Sequence, residues 1–161
     1  MRVERNAELS RLYADQWPRL VAELTLIGGS RDVAEECVNE AFARLIQQWE
    51  KVGNYDKPGA WVRRVGYNLT IDEMRRRRRL DPLHDAVDAA IAFEEPQLNE
   101  VWRLLAELTA EQRDLIIRRA VHGQSDQDIA DELGIPTGTV KSRLSRARAT
   151  LRRAVEVTTH E

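Results

Sequence analysis

The stretch QSDQDIADELGIPTGTVKSRLSRARATLRR, Gln124 to Arg153, reads as two helices joined by a tight turn. Ser125 is an N-cap, because its hydroxyl can accept a backbone N–H that the first helical turn leaves unpaired. Ile129, Ala130 and Leu133 follow at helical spacing. Gly134 ends this helix, since a residue without a Cβ enters the left-handed conformation at little cost. Pro136 and Thr137 stand where a second helix starts. In that helix Val140, Leu144, Ala147, Leu151 and Val155 form one stripe for burial. The outward positions carry Lys141, Arg143, Arg146, Arg148, Arg152 and Arg153, and no acid occurs between Thr137 and Arg153. A short helix, a glycine turn and a basic second helix make a helix-turn-helix, whose second helix has the shape and charge to enter a DNA major groove.

The rest of the chain is consistent with such a role once its charge is mapped. At 161 residues it is long enough for one ordinary domain or two small ones. Hydrophobic residues make up 42% and charged residues 32%, with few aromatics and no alternating β-branched run, so an all-α fold is expected. The net charge of −2 alone argues against a nucleic-acid binder. Its distribution argues the other way. Arg75 to Arg79 are consecutive arginines, and from Leu80 to Glu100 the chain carries Asp81, Asp85, Asp88, Glu94, Glu95 and Glu100 without a Lys or Arg. Two basic blocks are thus separated by an acidic one, and local field is what steers a polyanion. Cys37 is the only cysteine and the histidines (His84, His122, His160) are scattered, so no disulfide, metal site or cofactor is expected. No apolar run approaches a membrane span, and the N-terminal MRVERNAEL is no signal peptide; a cytoplasmic location is expected.

In the front half, Leu9, Tyr13, Trp17, Leu20, Leu24 and Ile27 share a helical face, which Pro18 should kink or start. Gly28-Gly29 ends that helix and Ser30 can cap the next. There Ala34, Cys37, Val38, Ala41, Phe42, Leu45, Ile46 and Trp49 make a core-facing stripe, and burial of Phe42, Leu45 and Ile46 should contribute roughly 1.5–3 kcal/mol each. Lys51 to Gly59, KVGNYDKPG, is a loop by composition. A helix then runs from near Ala60 to the arginines, with Val62, Val65 and Leu69 inward and Trp61, Asn68 and Asp72 on a neighbouring face. Aromatic and amide side chains beside a basic block suit unstacked bases. Behind the acidic segment, where Ala86 to Phe93 could form a weak helix, Leu98, Val101, Trp102, Leu105 and Leu108 form a new stripe. Thr109-x-x-Gln112 is a capping box, and Leu115, Ile116 and Val121 belong to the helix it opens. With the helix-turn-helix this makes a four-helix C-terminal domain; the tail VTTHE should fray.

Three pieces together resemble the bacterial RNA polymerase sigma factor family, in its compact extracytoplasmic-function (ECF) group. GIPTGTVKSRLSRAR, Gly134 to Arg148, is similar to the recognition helix of region 4. AEECVNEAFARL, Ala34 to Leu45, looks like regions 2.1–2.2, and AWVRRVGYNLTIDEMRRRRR, Ala60 to Arg79, looks like regions 2.3–2.4. The resemblance implies a region 2-like domain over 1–79, an acidic linker over 80–95, a region 4-like domain over 96–156 and a tail over 157–161. The implied role is to bind core RNA polymerase and give it promoter specificity. The front domain would grip the β′ clamp helices and open the −10 element. The rear domain would read the −35 element as duplex DNA, and the β flap is a further implied contact on polymerase. An anti-sigma factor is a further expected partner.

Carried over by position, Glu36, Asn39, Glu40 and Arg44 would face polymerase; the family usually has Gln where this chain has Asn39, and a larger apolar residue at Cys37. Asn54 and Tyr55 with Asn68 would hold a flipped non-template base. Trp61, Tyr67 and Asp72 would support the melted strand, and Arg75 to Arg79 would meet phosphates, with Arg75, Arg76 and Arg77 in the implied −10 set. Thr139, Lys141, Ser142, Arg143, Ser145, Arg146 and Arg148 form the implied −35 set. A stand-alone helix-turn-helix regulator is the main competing reading, although the chain shows no evident dimerisation helix. An enzyme is disfavoured by the lack of a Gly-rich phosphate loop, metal-ligand spacing or a nucleophile–base set.

Overall fold

Helix boundaries follow the punctuation of the sequence. The computed structural model describes residues 2–80 and 96–160 and, among these, contains α-helices and no strand. They are α1 (Arg2–Gly28), α2 (Arg31–Gln47), α3 (Trp49–Val52), α4 (Pro58–Leu80), α5 (Pro96–Leu105), α6 (Ala110–Ala120), α7 (Asp126–Leu133) and α8 (Thr137–Thr159). The chain divides into two units, Met1–Ile91 and Ala92–Glu161. The expected linker beyond Leu80, and the weak helix expected over 86–93, lie outside the described residues.

In the front unit, α1, α2 and α4 pack against one another. Gly29, at φ 73°, turns the chain out of α1, and Ser30 caps α2 by accepting the Val33 N–H at 3.4 Å. Pro18 neither starts nor ends α1, which runs through it; what changes near it is burial, since the buried residues of α1 begin at Leu20. Leu24, Ala41 and Val62 are fully enclosed, one from each helix. The three helices meet closely at Gly66, where a Cβ would come within 3.3 Å of Leu24 Cδ1 and 3.7 Å of Ala41 Cβ. Two buried threonines satisfy their hydroxyls within their own helices, Thr25 donating to the Val21 carbonyl and Thr70 to that of Gly66. Cys37 is buried in the same core, and burial pushes its thiol pKa up.

Three expectations need correction here. Ile46 is 60% exposed, because its side chain falls on the open side of α2 beyond the stripe that Leu45 ends. The segment expected as a loop from Lys51 begins with the short helix α3, which seats Val52 fully in the core. The loop proper is 53–57, and Pro58, not Ala60, opens α4.

The rear unit is built on α6, α7 and α8. Thr109 and Gln112 form the expected capping box, their reciprocal bonds measuring 3.2 and 3.0 Å. Ser125 caps α7, and Asp128 completes a second box by accepting the Ser125 N–H. Gly134 closes α7 at φ 65°. Leu115, Ile129, Ala130, Val140 and Leu144 form the core, with Ile116, Leu133 and Ile135 at its edge. Of the apolar positions read from sequence, Val101, Val121 and Val155 lie exposed, and α8 continues as helix to Thr159, so the tail expected to fray is helical over 157–159.

Candidate nucleic-acid interface

The second helix of the helix-turn-helix is held by one face and offers the other. Val140, Leu144 and Ala147 are buried, each four or three residues from the next. Lys141, Ser142, Ser145, Arg146 and Arg148 are exposed on the opposite side, and Thr139 and Arg143 are half-buried at its margin. Ser142 turns its hydroxyl back to the Thr139 carbonyl at 3.1 Å. Among the described residues no carboxylate pairs with Lys141, Arg143, Arg146 or Arg148. The face is therefore an uncompensated cationic strip on a rigid helix, which suits phosphates and base edges in a major groove.

What holds α7 in front of that helix was not foreseen. Arg118 of α6 is buried and bonds Asp114 one turn earlier at 2.8 Å. It also pairs with Glu132 of α7, and Gln124 in the connecting turn donates to Glu132 at 3.1 Å. Burial pushes the Asp114 carboxyl up to about 6 against the pull of Arg118. Arg113, also buried, lays its guanidinium over Trp102 at 5.6 Å and donates to the Leu108 carbonyl. The i,i+4 spacing of Asp114 and Arg118 was the available signal, but such a pair reads as a surface ion pair until its cover is known.

In the front unit the residues expected near a melted strand separate into two groups. Asn68 and Asp72 are exposed and Trp61 is half-buried on one flank of α4. Tyr67 is a correction: at 4% exposure it is buried with the core residues of this unit rather than open on that flank. Asn54 and Tyr55 are exposed in the loop before α4, the Asn54 amide donating to the Glu50 carbonyl at 2.7 Å. Of the arginines, Arg75 and Arg79 are exposed, whereas Arg76 and Arg77 both bind Glu73, at 2.7 and 3.1 Å. The hydrogen bond from Arg76, aided by that from Arg77, holds the Glu73 carboxyl down at about 2.

The α2 face is exposed at Glu36, Asn39, Glu40 and Arg44, and Glu40 pairs with Arg44 at 2.9 Å. Asn39 is tied to α1: its side-chain oxygen accepts the Trp17 indole N–H at 2.9 Å and faces the Tyr13 hydroxyl at 3.4 Å. Tyr13 and Trp17, read from sequence as part of one helical face of α1, are a half-open shelf beside this α2 face, with Tyr13 edge-on to Phe42 at 4.9 Å.

An all-α chain with one helix-turn-helix and a second basic helix in a separate unit defines a class of DNA-binding transcription proteins. The sequence profile of sigma-70 region 2 matches residues 12–80, and that of sigma-70 region 4 matches residues 98–151. The chain is 36% identical over 157 residues to the ECF RNA polymerase sigma factor SigL of Mycobacterium tuberculosis, covering 91% of this chain and 88% of that one. It is 34% identical over 160 residues to ECF sigma factor SigE of Mycolicibacterium smegmatis, covering 90% of this chain and 59% of that longer relative. Among solved structures, the sigma factor RpoE in complex with the anti-sigma factor NepR from Bartonella quintana superposes with a TM-score of 0.65 at 27% identity, covering 93% of this chain and 98% of that one. The chain belongs to the sigma-70 family, in its ECF group of alternative sigma factors, which direct transcription initiation. A stand-alone helix-turn-helix regulator is not favoured, because both family regions match in order along one chain.

Proposed function

We propose that this chain binds core RNA polymerase through the exposed face of α2 and brings it to promoters whose −35 element is read by α8. Residues 1–79 act as the polymerase-binding and −10-opening domain, 96–156 as the −35 domain, and 80–95 as the acidic connection. The action is binding and positioning, without catalysis by this chain, in the compartment that holds polymerase. No described helix is long and apolar enough to cross a membrane. The observation that carries this reading is the cationic strip Lys141–Arg148, to which the described residues offer no carboxylate partner, on a helix whose other face is buried at Val140, Leu144 and Ala147.

Within it, Lys141, Ser145 and Arg146 reach base edges or flanking phosphates, and Thr139, Ser142, Arg143 and Arg148 set the register on the backbone. Asn54, Tyr55 and Asn68 hold a displaced base while Trp61 and Asp72 line the melted strand; Tyr67 contributes only through the packing of α4. Arg75 meets phosphate directly, and Arg76 and Arg77 do so after leaving Glu73. An anti-sigma partner is supported by the neighbouring RpoE, which was solved bound to one. The test is run-off transcription from genomic promoter fragments by purified core polymerase with and without the chain. Start sites that appear only with it are the expected result; none at any fragment overturns the proposal.

A further inference from the structure

Asn39 stands at the centre of the α2 face with its amide orientation fixed. An indole N–H only donates, so the Asn39 atom 2.9 Å from Trp17 Nε1 is the carbonyl oxygen. The Tyr13 hydroxyl lies on the same oxygen at 3.4 Å, and Tyr13 is itself braced against Phe42 at an interplanar angle of 68°. With the oxygen turned toward α1, the –NH2 group and both its hydrogens point away from the aromatic shelf, and no described residue takes them. Glu36 and Glu40 flank it on the same helix, and Glu40 is occupied by Arg44.

The geometry points to Asn39 as a fixed hydrogen-bond donor that recognises an acceptor oxygen on core polymerase, with Trp17 as the positioning residue that sets its polarity. This rests on the proposed assignment of the α2 face to polymerase. A free surface amide presents either end to a partner; one clamped through its oxygen presents only the donor end and loses less freedom when it binds. The matching group on polymerase is therefore a main-chain carbonyl or a carboxylate, and a guanidinium or ammonium group there is excluded by the polarity.

The experiment measures affinity of the full chain for purified core polymerase by fluorescence anisotropy, with circular dichroism and thermal unfolding of each variant alongside. Asn39→Asp keeps the acceptor that Trp17 and Tyr13 need, replaces the outward donor by an acceptor and adds a negative charge beside Glu36 and Glu40, so Asn39→Ala, which removes the donor without adding charge, is measured with it and is expected to bind more weakly as well. Asn39→Asp is expected to unfold at the wild-type temperature and to bind at least tenfold more weakly. Trp17→Phe removes the clamp and is expected to weaken binding severalfold; should Asn39→Asp not fold, this variant decides, and unchanged affinity overturns the inference. A carboxylate acceptor makes the Asn39→Asp defect shrink as salt rises, and a main-chain carbonyl leaves it constant. If Asn39→Asp binds as wild type while Asn39→Ala is weak, the donor assignment fails and the α2 face survives. If Asn39→Asp, Asn39→Ala and Glu36→Lys all bind as wild type, the assignment of the face itself fails.

Discussion

Arg118 and Asp114 show how much a single pair of charged residues can carry when it is covered. Taking Arg118 away leaves the Asp114 carboxylate buried without its main counter-charge, a change expected to cost about 3–5 kcal/mol. Glu132 is more exposed, so Glu132→Gln should cost less than about 1 kcal/mol. The pH dependence has a defined sign. The Asp114 pKa is raised to about 6 from an ordinary 3.8, so the folded state binds a proton that the unfolded state releases between those values. Stability from this group is greatest below about pH 4 and falls as pH rises through about 6. Urea unfolding of the full chain between pH 4 and 7, followed through the rear unit, should show this decline, and Asp114→Asn should flatten it. The sequence carries the spacing of this pair but not its burial, since part of the cover comes from Glu132 and Gln124, outside α6. Tyr67 was misread for the same reason: a helical face lists which residues look one way, and the neighbouring helix decides which are enclosed.

Single helices were the most readable level, because their ends are written in local chemistry. Ser30, Thr109, Ser125 and Gly134 all do what their positions predict. Ser125→Ala should cost about 1 kcal/mol, since it removes the hydroxyl that accepts the Asp128 N–H and leaves only the backbone half of the box. Gly134→Ala meets nothing within 4 Å, so its cost is the left-handed backbone alone, about 1 kcal/mol. Thermal unfolding would check both, and each should also weaken DNA binding by tilting α7 against α8. On α8, Lys141→Ala should lower affinity at a cognate −35 element by roughly 1–3 kcal/mol while leaving non-specific duplex affinity less affected; a gel shift against the two duplexes separates these. Where reading failed, length was the cause. Four residues of α3 are too few to display a period, so Val52 passed as loop, and the stripes of α2 and α8 were extended past the point where a neighbour covers them.

For the whole molecule, the near-zero net charge conceals the division that matters, but the structure changes the tally of usable cations. Arg76 and Arg77 carry their own anion in Glu73, which at about 2 stays ionised at any cellular pH. Glu73→Gln should release them, raising affinity for non-specific DNA and steepening the slope of log affinity against log salt by roughly one unit. Alanines at Arg76 and Arg77 should weaken many promoters alike; a change in sequence preference without a change in salt dependence would contradict a phosphate role. The division into two basic, helical halves was legible before any coordinates, because charge blocks survive folding.

The tryptophans follow that division as well. Trp17, Trp49 and Trp61 belong to the front unit, and Trp102, 3% exposed under the Arg113 guanidinium, is the lone indole of the rear one. A chain keeping only Trp102 thus has a built-in optical label: its emission should shift to the red when the rear unit melts and stay still while the front one opens, so the two melting events can be timed separately in one cuvette.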